Sequence, residues 1–181
     1  AEHRARFLEA LGSDAALLFA APHHIRNGDA EYLYRQTSDM LYLSGWTEPE
    51  CALLFRPGSD APFVMFVQPK DPAKEVWTGI REGPEGARDR FGADEAFAYA
   101  ELAERLPDLL QGVRTLHYRF AEDFDRDRLL VGAIASARRK ARENGLDVPD
   151  TFVDPTRILH EQRLCKSAAE VAILDRAVED G

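Results

Sequence analysis

The stretches AALLFAA at 15–21, ALLF at 52–55 and FVMFV at 63–67 are apolar without interruption. Such short runs suit strands covered on both faces. The second and third are separated by RPGSDAP, whose Pro57-Gly58 pair favours a chain reversal, so they are predicted to pair as antiparallel neighbours. Other segments repeat with helical spacing. Residues 2–11 place Phe7, Leu8 and Leu11 ahead of Gly12, residues 99–111 carry Leu102, Leu106, Leu109 and Leu110 on one face, and Leu130, Ile134, Ala137 and Ala141 are spaced four, three, four. Val113 to Tyr118 reads as a strand between the last two helices. The stretch from Pro69 to Gly92 is polar, marked by proline and glycine, and reads as loop and turns around a short segment at Val76 and Trp77. Pro149 and Pro155 bracket a connector, and Thr156 to Arg163 is a last short helix. Helix and strand in alternation, with one hairpin, predict an α/β domain with a mixed β-sheet flanked by helices on both faces.

Ser167 and Glu170 stand three apart, ahead of Val171, Leu174, Ala177 and Val178. This is a capping box opening an amphipathic helix at about Ala168. A helix so short is marginal alone, and its apolar stripe is expected to belong to a second domain. The expected division is therefore residues 1–163 as one domain and residues 164–181 as a connector with the first helix of another.

Composition narrows the function. The formal charge of -9 over 181 residues argues against nucleic acid and anionic membranes as general partners, because neutralising phosphate needs a surplus of Lys and Arg. The cluster Arg138, Arg139, Lys140 and Arg142 lies before Asn144-Gly145 and reads as a solvated helix end, where the dipole favours cations. No apolar run approaches the ~20 residues that span a bilayer. Cys51 and Cys165 belong to no metal or redox motif and read as two reduced thiols. A soluble, cytoplasmic protein is the expectation.

Several active-site chemistries fail directly. The sequence holds no phosphate loop of the GxxxxGKS type, no GxGxxG after a strand and no GxSxG elbow. His160-Glu161 lacks the second histidine of a zinc-binding HExxH helix and has the fixed charge of Arg163 nearby, so it reads as a partly buried His beside a solvated Glu. His23 and His24 are neighbours on extended backbone and point to opposite faces. Asp123, Asp125 and Asp127 lack the glycine and distal glutamate of a calcium loop and read as the acidic start of a helix. Gly83, Gly86 and Gly92 read as turn residues.

One stretch stands out. RNGDAEYLYRQTSDMLYLSGW at 26–46 mixes Arg26, Asp29, Tyr32, Tyr34, Arg35, Asp39, Tyr42 and Trp46 between core strands. It is either a surface loop anchored by amphipathic aromatics or a recognition surface for a peptide terminus or a neighbouring subunit. Arg35 and Asp39, four apart, are candidates for a local pair.

The pattern DxEYxYRQxSDMxYLSGW at 29–46, followed by EPE at 48–50, resembles the amino-terminal domain of aminopeptidase P, in the creatinase and prolidase superfamily. KEVWTGIREG at 74–83, TFVDPTRILHEQRLCKS at 151–167 and the SAAEVAILDRAVED helix are similar to later elements of the same family. The resemblance implies a Xaa-Pro aminopeptidase that releases the first residue from a short peptide with proline second. It implies a separate catalytic domain of pita-bread fold, whose two aspartates, histidine and two glutamates hold two divalent ions, usually manganese, and whose metal-bridged hydroxide attacks the carbonyl before proline. Those ligands would lie beyond Gly181, so the resemblance implies no metal and no catalytic residue in these 181 residues. It also implies a homo-oligomer in which Asp29 meets a substrate ammonium or a pocket arginine and Trp77 forms an apolar wall, with Arg26 and Tyr32 as weaker candidates for the pocket mouth or subunit interface. The alternative is a protein-binding module, since some relatives keep the two-domain shape without peptidase activity.

Overall fold

The computed structural model describes residues 2–28, 30–73 and 79–179. Its centre is a six-stranded sheet ordered β6-β5-β4-β1-β7-β8, with β1 at Ala15–Phe19, β4 at Ala52–Phe55, β5 at Phe63–Val67, β6 at Glu95–Ala98, β7 at Thr115–His117 and β8 at Thr151–Val153. The expected hairpin is present, with Ala52 opposite Phe66 and Phe55 opposite Phe63. Strand β4 is antiparallel to both β1 and β5, and the other neighbours pair in parallel. Every strand except β4 therefore ends on the same edge of the sheet. A small separate ribbon joins β2 (Ile25–Asn27) to β3 (Ala30–Glu31).

Because side chains alternate along a strand, each apolar run feeds two cores. Ala16, Leu18, Leu53, Phe55, Phe63 and Met65 face one side, where α1 (Glu2–Leu11), α2 (Ser38–Ser44), α3 (Gly83–Asp89) and α6 (Thr156–Leu164) cover them with Phe7, Met40, Ala87 and Leu159. Ala15, Leu17, Leu54, Val64 and Phe66 face the other, under α4 (Leu102–Leu109) and α5 (Phe124–Asn144). Burying each large apolar side chain contributes roughly 1.5–3 kcal/mol. Helix α5 begins and ends where its sequence specifies. Asp123 caps α5 by accepting from the backbone of Asp125 and Arg126, and Gly145 ends it at φ 65°. That fixes the role of the acidic triplet as a helix start.

Several expectations change. Residues 79–92 are not all turns: Gly83–Asp89 is helical, so Gly86 sits within a helix, while Gly83 and Gly92 do take positive φ. Strands β2, β3, β6 and β8 were not read from the sequence. His160 is exposed and not partly buried. Trp46 is fully buried, packed edge-on against Phe91, so it belongs to the core and not to any surface. The capping box forms as expected: Glu170 accepts from the backbone and hydroxyl of Ser167, and Ser167 Oγ accepts from Glu170 N, opening α7 at Ala168–Glu179. Both cysteines are free, Cys51 buried and Cys165 exposed.

Candidate functional site at the strand ends

In α/β sheets ligands gather outside the carboxyl ends of the strands. On this edge β1 releases residues 20–37, β5 releases residues 68–82, and β7 and β8 release the turns at Tyr118–Asp123 and Asp154–Pro155. The two longest of these segments contain all the sequence-derived candidates. Asp29 and Trp77 lie outside the described residues. Arg26 is exposed in β2, and Tyr32 is exposed immediately after β3. Ile25, Tyr32 and Leu33, the last 97% exposed, are open to solvent in and just after this ribbon, and Ile80 is exposed in the second segment.

The first segment is fastened back to the sheet by groups that the sequence did not single out. Gln36 is only 5% exposed. Its Oε1 accepts from the backbone N–H of Ala21 (2.9 Å) and of Thr37 (3.0 Å), and its Nε2 donates to the Glu48 carbonyl (3.0 Å). Tyr34 donates to the Ala21 carbonyl at 3.2 Å, and burial pushes its phenol up to about 12, so it stays a donor at neutral pH. Arg126 of α5 donates to the Ala20 carbonyl at 2.8 Å. The segment therefore leaves the sheet over a base in which the Ala21 and Thr37 N–H groups and the Ala20, Ala21 and Glu48 carbonyls are paired by side chains.

Beside that base a cavity of about 70 Å³ is lined by Phe19, Thr37, Asp39, Tyr118, Arg119 and Arg126, among others. Asp39 pairs with Arg163 at 2.7 Å and Arg119 at 3.7 Å, so the expected local pair with Arg35 is not what this carboxylate makes. Arg119 also meets Glu122, Asp154 and the Thr156 hydroxyl. Burial opposes its charge, and the carboxylates of Glu122 and Asp154 outweigh that and hold the guanidinium above its usual value. This cluster locks α2, β7 and α6 together. Among the described residues no three His, Cys, Asp or Glu side chains gather as a metal site, so the groups present do not fit a metal centre.

The comparisons with known proteins agree with this architecture. The family model for the aminopeptidase P N-terminal domain matches residues 1–117. The Xaa-Pro aminopeptidase of Escherichia coli K12 is 38% identical over 91% of this chain, and that of Haemophilus influenzae is 32% identical over 97%. Among solved structures, Escherichia coli aminopeptidase P superposes with a TM-score of 0.90 at 36% identity over 98% of the chain, and Pseudomonas aeruginosa aminopeptidase PepP with 0.86 at 40% identity over 94%. The chain spans 38% and 39% of the two relatives' lengths, and 41% and 40% of the two structures' chains. By sequence and by fold, the chain belongs to the aminopeptidase P N-terminal domain family.

Proposed function

We propose that the chain is the non-catalytic N-terminal domain of a Xaa-Pro aminopeptidase, which removes the first residue from short peptides with proline second, and that it contributes the mouth of the substrate pocket and contacts between subunits of a homo-oligomer. The observation that carries this reading is the superposition of 98% of the chain on 41% of the aminopeptidase P chain. In this reading residues 1–163 form the domain, residues 164–181 are the connector and first helix of the catalytic domain, and the protein is cytoplasmic. Two divalent ions, manganese foremost, supply the hydrolytic chemistry there. This chain's own part is recognition, with Asp29 and Trp77 at the pocket mouth and Arg26 and Tyr32 beside them. A carboxylate such as Asp29 offers a peptide ammonium a charge-assisted hydrogen bond.

The test is a peptidase assay on the longer protein loaded with manganese. Release of the first residue from a peptide with proline second is expected, and none from the 181-residue chain alone. Asp29→Ala should raise KM by about tenfold, the scale of one lost charge-assisted contact, and Trp77→Ala should raise it by about as much through lost apolar burial. A longer protein that leaves such peptides intact favours the protein-binding module, for which the exposed Ile25, Tyr32 and Leu33 are a suitable surface.

A further inference from the structure

The turn TEPE at 47–50 leads from the buried Trp46 into β4, and it meets both long segments of the strand-end edge. Its Glu48 carbonyl accepts from Gln36, at the end of the segment that follows β1. Glu48 Oε1 accepts from the backbone N–H of Glu82 at 3.0 Å, and Glu50 Oε2 accepts from Gln68 Nε2. Gln68 and Glu82 stand at opposite ends of the segment between β5 and α3. Those ends also touch each other, since a Cβ on Gly83, at φ 66°, would lie 3.2 Å from Lys70 N. The chain thus departs at Lys70 and returns at Gly83 over a base pinned by two carboxylates of one turn. In the sequence Trp77 lies between Lys70 and Gly83, and Asp29 lies between β1 and Gln36.

We propose that Glu48 is a positioning residue for peptide recognition: its side chain and carbonyl hold the segments after β1 and after β5 at a fixed spacing on the strand-end edge. The inference rests on the reading of this domain as the pocket mouth of a Xaa-Pro aminopeptidase. Two features set the turn apart from one built only for stability. Among the described residues Glu48 Oε2 is buried with no hydrogen-bond partner, a cost that an apolar side chain would avoid. Glu50 takes φ 46°, a left-handed conformation natural to glycine and strained for glutamate.

The groups facing the Glu48 carboxyl are Arg81 and Glu82 from the segment before α3 and Cys51 at the start of β4; Gln36 and Gln68 are neutral amides. Burial raises the Glu48 pKa, the Glu82 N–H and Arg81 oppose that rise, and the Glu82 carboxylate adds to it. Protonation exchanges a charged acceptor for a neutral one, so the anchor on Glu82 weakens as pH falls through this raised value.

The experiment uses the full-length protein, a peptide with proline second, and the variants Glu48→Ala and Glu48→Gln. Glu48→Ala should raise KM about tenfold with little change in kcat, the scale of one charge-assisted hydrogen bond. Glu48→Gln keeps an acceptor for Glu82 N–H and should restore most of KM, while removing the rise in KM expected of the wild type on acidification. A wild-type KM in Glu48→Ala, or an unaltered acid rise in Glu48→Gln, overturns the inference. If the wild type cleaves no such peptide, the function proposed above fails, and amide exchange at Glu82 decides the positioning role separately. Faster exchange in Glu48→Ala supports the anchor, and exchange at the wild-type rate removes it.

Discussion

Asp39 is 14% exposed and touches two guanidiniums from distant parts of the chain, Arg163 at 2.7 Å and Arg119 at 3.7 Å. The four-residue spacing to Arg35 suggested a local pair, but that rule holds only when both residues share a helix. Arg35 precedes Thr37, the cap of α2, so the two side chains never lie on one face. Replacing Asp39 by Ala leaves two arginines short of a carboxylate. Both are about a third exposed, so solvent screens the loss and the expected cost is about 1 kcal/mol. It should appear as a lower denaturant midpoint with an unchanged slope. A double-mutant cycle with Arg163→Ala should return a coupling of roughly 0.5–1 kcal/mol, and strict additivity would mean that the pair does not act. Trp46 was misplaced for a related reason: polar neighbours in sequence say nothing about depth once Gly45 turns the chain inward at φ 72°.

At the scale of elements, what the sequence made legible was what it wrote at full length. Strands β1, β4 and β5 are buried on both faces, so their apolar runs had no gaps to misread. Strands β6 and β8 are only four and three residues long, too few positions to establish a period, although EAFA and TFV hold strand-favouring residues. Helix α3 was hidden by two glycines and a proline, although proline in the first turn is tolerated because its missing N–H has no intrahelical partner there. Gln36 and Glu48 were quoted within motifs but given no task, since their roles exist only where separate loops meet. Helix α7 was the reverse case, its start written locally by Ser167 and Glu170. The Ser167 backbone and hydroxyl donate to the Glu170 carboxylate, with a lesser contribution from His3, and hold it below the usual carboxylate range. A depressed folded-state value means that this stabilisation is complete above the ordinary glutamate pKa and fades as pH drops through the lowered one. Ser167→Ala should cost α7 about 1 kcal/mol, read as faster amide exchange over residues 168–172. Unchanged exchange there would deny the cap its role.

At the scale of the molecule, α7 is the element that the rest of the described chain does not explain. It has no buried residue, and Val171, Leu174 and Val178 are all exposed along one stripe, Val178 at 82%. It is held at its start by the cap and by His3, which stacks on Tyr42 and reaches Glu170 at 3.4 Å. An amphipathic helix gains its stability from burying such a stripe, and the relatives are long enough to supply a cover, since the chain spans 38% of the Escherichia coli enzyme. If residues 164–181 open a second domain, the stripe has two different values in two contexts. Substituting Leu174→Gln and Val178→Gln in the 181-residue chain should leave its denaturant midpoint within about 0.5 kcal/mol of the parent, as for other exposed positions. The same pair in the longer protein should cost roughly 3 kcal/mol or more, the loss of two buried aliphatic side chains. Equal effects in both proteins would mean that the stripe stays open to solvent, and the division at residue 164 would lose its physical basis.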